Sequence, residues 1–154
     1  MVKFANIKMT VCLAALLPAV CSGMDRLGAL SMIESGDDDG MVGTAGEISR
    51  YQVKKEEWRT ITPSTNYRDP ALAQRVALKL LQKRVARFQD LRKRTPTDFE
   101  LYALWNAPTQ ALTGKISSAV AQRSRRFANL CGRNNIPVAA LKTLPPQGPL
   151  LATK

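Results

Sequence analysis

The 154-residue chain contains no histidine and only three cysteines. Without imidazole, Ser/His and Cys/His nucleophilic catalysis and the usual zinc sites are excluded. Cys12 and Cys21 lie in or beside an N-terminal apolar run, so Cys131 is the one thiol securely in the body of the chain and no internal disulfide is expected. Acidic residues are also scarce: 12 Asp and Glu stand against 23 Lys and Arg, a formal charge of +11. Aromatics make up 6% of residues. They are too few to interleave with the cations as a base-stacking surface requires, and no nucleic-acid motif accompanies them, so no specific nucleic-acid partner is expected. The longest apolar run falls short of the roughly 20 residues that favour a spanning helix. Chemistry must therefore rest on carboxylates, hydroxyls, amides or cations, with no metal and no organic cofactor expected.

What is present begins with an address. Lys3 and Lys8 precede the apolar run 9–20, and Cys21, Ser22 and Gly23 are small residues suited to peptidase cleavage. Residues 1–23 thus read as a signal peptide, implying export to a periplasmic or extracellular location, with an uncleaved membrane anchor as the alternative. Pro18 and Val20 argue against lipid attachment at Cys21. Loss of Lys3 and Lys8 lowers the charge from +11 to about +9, so the mature protein stays strongly basic and its partner is expected to be anionic. The cations concentrate at Arg75, Lys79, Lys83, Arg84, Arg87, Arg92, Lys93 and Arg94, opposed only by Asp90. Such a face suits an anionic envelope polymer or membrane surface, and it equally suits plain solvation.

A 45% hydrophobic content fits one folded domain, placed at 24–131, with a Pro-containing tail at 132–154 that is expected to be partly disordered. The patterning is mostly helical. A short helix at about 25–35 has Asp25 as N-cap and Gly36 as its stop. A loop rich in Asp and Gly follows over 37–46, then a short strand or hairpin arm over 47–53 and a helical stretch over 54–61. Pro70 after Asp69 opens the longest helix, to Arg94, whose stripe of Leu72, Val76, Leu80, Leu81, Val85 and Phe88 should face the core. Thr97 and Glu100 have capping-box spacing, Pro108 should stop that helix, and another runs over about 117–131.

Within this frame, Glu34 stands at a helix end after Leu27, Leu30 and Ile33, which recur at helical spacing. A buried face would hold its backbone while the carboxyl projects into a cleft. Partial burial keeps such a group protonated near neutral pH, as cleavage of a glycosidic bond requires.

Glu34-Ser35-Gly36, then Ala45-Gly46 and Gln52, and later Trp105-Asn106-Ala107-Pro108, follow an order that resembles the lytic transglycosylase and goose-type lysozyme branch of the lysozyme-like superfamily. The resemblance covers roughly residues 27–130. It implies a mainly α (α+β lysozyme-like) fold, a helical domain with a small β-hairpin or extended segment beside the catalytic cleft. It further implies cleavage of the glycan strands of peptidoglycan, with Glu34 as general acid and then base. Glu47 is a candidate second carboxylate, able to orient water if the two groups stand about 6.5–9.5 Å apart.

Ser35, Arg50, Tyr51, Gln52, Tyr102, Trp105 and Asn106 are the candidate substrate-binding residues. Taken singly, the aromatics suit a core as well as a sugar platform, and Ser35 suits a helix terminus. The chain departs from the family pattern at Ser49-Arg50-Tyr51, where Gly-Leu-Met is usual before the glutamine, and at Pro108, where glycine is usual. Arg50 could bind a substrate carboxylate, or pair with Glu47 or with the cluster Asp37, Asp38 and Asp39. Peptidoglycan or another anionic envelope polymer is the expected partner. A non-catalytic glycan- or anion-binding protein on the same fold is the alternative, and a membrane-active basic protein a third reading.

Overall fold

The computed structural model of the chain describes residues 24–132. The expected signal segment and the stretch from 133 onward lie outside the described residues. Helix covers 61% of what is described, which places the domain in the mainly α class. Among the described residues no helix is long and apolar enough to cross a membrane.

The first helix, α1 (Arg26–Ser35), begins where the Asp25 side chain accepts a hydrogen bond from the Gly28 N–H at 2.8 Å, satisfying one of the free donors of the first turn. It ends at Gly36, whose φ of 69° lies in the left-handed region that glycine enters without penalty. Asp37 is also left-handed, with φ 68°, so the chain reverses sharply and the Ser31 hydroxyl bonds back to the Asp37 carboxylate. Leu27 and Leu30 are buried and Ile33 packs against the same core, as the spacing requires.

A five-residue helix, α2 (Lys55–Arg59), is too short to persist alone. Trp58 holds it in place: the side chain is fully buried, meets Tyr67 edge-on at 5.2 Å, and donates from Nε1 to the Ser64 carbonyl at 2.7 Å. The long helix α3 (Pro70–Arg92) starts under an Asp69 cap, with Oδ1 accepting from Ala71 and Leu72 N–H groups. All six residues of its expected stripe are buried. It stops two residues before the expected end, because Lys93 turns left-handed and Arg94 swings over the Phe88 ring into a two-pronged ion pair with Glu100.

Thr97 and Glu100 form the expected capping box at the head of α4 (Asp98–Asn106). Arg94 and the Thr97 N–H together hold the Glu100 carboxyl down to about 2, well below its ordinary 4.5. A depressed carboxylate stabilises the fold above its ordinary value, and that stabilisation is lost as pH falls from about 4.5 toward 2. Replacing Glu100 with glutamine should therefore lower the melting temperature at pH 7. The gap to the parent should close in melts taken at pH 2, and a gap independent of pH would contradict the capping role.

Pro108 does not merely stop α4. The residue before a proline is pushed out of the helical region, so Ala107 becomes the break and Pro108 opens an unexpected short helix, α5 (Pro108–Thr113). The last helix, α6 (Ser118–Cys131), buries Val120, Ser124, Phe127 and Cys131 at spacings of four, three and four. It packs along α4 and α1, with Phe127 tilted against Tyr102 at 5.6 Å. Burial pushes the Cys131 thiol up to about 12. The expected hairpin or extended arm at 47–53 is reduced to a single antiparallel bridge between Ile48 and Val53.

Candidate active site

Glu34 sits on the last turn of α1, half-buried, at the wall of a cleft of about 410 Å³. Burial raises its pKa above the ordinary 4.5, the largest of the influences on it. Tyr102 lowers it, as do the charges of Arg123 and Arg84, while the charge of Glu47 adds to the rise. Glu34 Oε1 and the Tyr102 hydroxyl are both buried and without a hydrogen-bond partner. The two groups thus influence each other without closing a well-formed hydrogen bond. A desolvated carboxyl keeps its proton more readily than a solvated one, and Oε1 is a free oxygen from which to give it up.

The loop after α1 forms one lip. Gly43 donates its N–H to the Glu47 carbonyl at 2.9 Å, and the Glu47 carboxylate accepts from Ala45 N–H at 3.1 Å. Glu47 makes no ion pair among the described residues; it lines the cleft beside Gln52. Two mutual backbone hydrogen bonds of 2.9 Å between Ile48 and Val53 close a turn in which Ser49 and Gln52 both take positive φ, 65° and 49°. A left-handed non-glycine residue costs energy, and here that conformation accompanies placement of the Gln52 side chain in the cleft. Its amide donates to the Ser49 carbonyl at 3.1 Å.

Gly43 is where this lip depends on a missing side chain. A Cβ there would stand 2.4 Å from both Gln52 Oε1 and Glu47 Oε2. Both are the ends of movable side chains, so Gly43→Ala should displace Glu47 and Gln52 rather than unfold the chain. If the cleft is catalytic, its turnover should fall about tenfold or more, about 1.4 kcal/mol in transition-state stabilisation, with the melting temperature nearly unchanged. Steady-state rates beside a thermal melt check this, and full activity in the alanine variant would show that neither side chain matters where it stands.

The opposite wall comes from the second half of the chain. Trp105, Asn106 and Pro108 line it where α4 gives way to α5, and Arg123 comes from α6. Arg84, on α3, organises this wall: its guanidinium lies 4.8 Å over the Trp105 ring, donates to the Trp105 carbonyl at 2.6 Å and pairs with Glu57 at 2.5 Å. With its side chain only 13% exposed, Arg84 is a packed strut rather than one of the solvated cations of α3.

Of the residues expected from sequence, Glu34, Glu47, Gln52, Trp105 and Asn106 come together in this cleft, and Tyr102 lies buried beside Glu34. Ser35, Arg50 and Tyr51 do not line it. The Ser35 hydroxyl donates to the Arg50 carbonyl at 2.8 Å and accepts from Asp38 N–H at 3.1 Å, fastening the helix end to the turn. Arg50 is held by Asp39 through two hydrogen bonds of 2.6 and 2.7 Å, with Asp37 3.7 Å away. That pairing lowers the Asp39 pKa and raises that of Arg50, and it ties the cation to the loop. Tyr51 is buried, which pushes its hydroxyl up to about 12.

Sequence reasoning missed Glu57, Arg84 and Arg123. The available signal was position at the margin of a buried stripe: Arg84 is four residues from both Leu80 and Phe88, and Arg123 is three from Val120 and four from Phe127. Among the described residues no group of three His, Cys, Asp or Glu side chains is gathered closely enough to hold a metal ion. Comparison with protein-family models, curated proteins and solved structures finds no match to the chain.

Proposed function

We propose that the chain is an exported lysozyme-like enzyme that cleaves the glycan strands of peptidoglycan, as a lytic transglycosylase or muramidase. One observation carries this reading: a half-buried Glu34 with a raised pKa and a buried, unbonded Oε1 shares a single cleft with Gln52 and Asn106. Asn106 lies far from Glu34 and Gln52 in sequence, and wide separation in space would have removed the basis for it. On this reading the Ile48–Val53 bridge and its turn are a pared-down form of the small extended region beside a lysozyme-like cleft.

In the proposed reaction, protonated Glu34 gives its proton to the glycosidic oxygen as the bond to the sugar carbon breaks, leaving an oxocarbenium-like centre. The Glu34 carboxylate then takes a proton from the attacking hydroxyl. If that hydroxyl belongs to water, Glu47 is the group in the cleft suited to orient it, and the product has a reducing end. If it belongs to the sugar itself, an anhydro end forms and no second carboxylate is needed. Gln52 and Asn106 supply amide donors and acceptors for sugar hydroxyls, and the basic α3 face favours approach to an anionic wall.

Incubation of the protein with purified peptidoglycan, followed by mass spectrometry of the soluble material, tests the reading. Released muropeptides are expected, and their ends separate hydrolysis from transglycosylation. A preparation that binds the strands but releases nothing would replace this reading with a non-catalytic glycan-binding role for the same cleft.

A further inference from the structure

Glu34 Oε1 is buried and makes no hydrogen bond, so loss of the proton leaves an anionic oxygen that nothing meets. A buried charge of that kind is strongly disfavoured until a cation or donor reaches it. Three cations line the cleft: Lys54, Arg84 and Arg123. Arg84 is already committed, with the Glu57 carboxylate and the Trp105 carbonyl as its partners. Lys54 is the cap residue of α2, on the side of the lip, and is not a leading influence on Glu34. Arg123 is exposed and has no carboxylate within ion-pair distance among the described residues.

The packing of α6 explains why Arg123 stands there. Val120 and Phe127, three residues before it and four after, are buried, and Phe127 lies against the Tyr102 ring. Side chains at those helical spacings share one flank, so the Arg123 stem leaves α6 on the side that packs along α4. The Tyr102 hydroxyl feels both charges: burial raises its pKa most, Glu34 raises it further, and Arg123 pulls it back. The other charged group acting on Glu34 is Glu47 on the lip, whose repulsion makes a cation more necessary. We propose that Arg123 is a positioning residue for Glu34, standing free while the carboxyl holds its proton and turning its guanidinium onto Oε1 when the proton has left. Arginine suits this task because it stays charged at every working pH and its planar fork matches a carboxylate. Proton and guanidinium thus take turns on one oxygen, so Glu34 can act as the acid and then persist as the base. That catalytic consequence rests on the glycan-cleavage reading, whereas the pairing does not.

The test follows the Glu34 carboxyl carbon by NMR through a pH titration of the full chain, isotopically labelled at its glutamate carboxyls, with the resonance assigned by its absence in Glu34→Gln. Replacing Arg123 with glutamine should raise the pH at which Glu34 ionises by about one pH unit, the lower end of what a close opposite charge achieves. Arg125→Gln removes the same charge from an exposed position on α6 and should leave that midpoint in place. In the parent, the Arg123 Nε resonance should shift as Glu34 ionises, and in Glu34→Gln it should stay flat over the same range. An unmoved Glu34 midpoint, an equal shift in the Arg125 variant, or an Arg123 resonance blind to Glu34 would each overturn the proposal. Where peptidoglycan is cleaved, the alkaline limb of the rate profile should move up with the midpoint in Arg123→Gln. If no fragments are released while the midpoint still moves, the pairing stands and the cleavage reading falls. Fragments released with the midpoint unmoved would keep the cleavage reading and remove the pairing.

Discussion

Replacing Glu34 with glutamine is expected, on the proposed glycan-cleavage reading, to cut strand turnover by about 10²–10⁴-fold, the usual contribution of a positioned proton donor. Glutamine keeps the shape and can still meet the Tyr102 hydroxyl, but it has no proton to give. The same change should stabilise the fold at neutral pH. Because burial raises the folded pKa of Glu34 above 4.5, the parent loses stability as pH climbs from about 4.5 through that raised value, where the unfolded chain ionises more readily. The glutamine variant escapes that loss. It should therefore melt higher than the parent at pH 7.5, and the gap should vanish below pH 4.5. Activity of the parent should decline on the alkaline side as Glu34 loses its proton. Rates that are unchanged by the substitution would remove Glu34 from the mechanism, and a variant that melts lower at every pH would show that the carboxylate is a structural anchor instead.

Truncating Trp58 to alanine should cost about 3–5 kcal/mol, the range for emptying a large buried aromatic site. Three losses coincide there: the buried ring, its edge contact with Tyr67, and the hydrogen bond to the Ser64 carbonyl. The damage should reach the cleft, since Glu57 is the next residue back on α2 and is the partner that holds Arg84 against Trp105. Urea unfolding gives the stability change, and activity under folding conditions reports the second effect. A loss below about 1.5 kcal/mol would mean that the surroundings collapse into the vacated space instead of leaving a cavity.

Much of the helical frame could be read from local chemistry. Asp25, Asp69 and Thr97 cap where their side chains can reach free N–H groups, Gly36 stops where a left-handed residue is needed, and the α3 stripe is buried as its spacing demands. These features depend on residues within a few positions of one another. The site itself was legible on one lip and only partly on the other. Glu34, Glu47 and Gln52 are close in sequence, whereas Arg84 and Arg123 become cleft residues only because α3 and α6 present their flanks to it. Periodicity separates a buried face from a solvated one; it does not say which flank another element will cover. For Arg50 the sequence left several partners open, among them the Asp37 to Asp39 cluster, and the choice of Asp39 depends on two left-handed turns that bring it within reach.

The buried thiol at the end of α6 has a practical consequence. With its pKa pushed up to about 12, Cys131 offers almost no thiolate at pH 8 while the domain is closed, and an ordinary reactive thiol once it opens. In a chain with Cys12 and Cys21 replaced by serine, the rate at which a thiol reagent labels Cys131 would count openings of the native state. The molecule thus carries its own reporter, at the helix that bears the Arg123 side of the cleft, for watching how often that wall comes away.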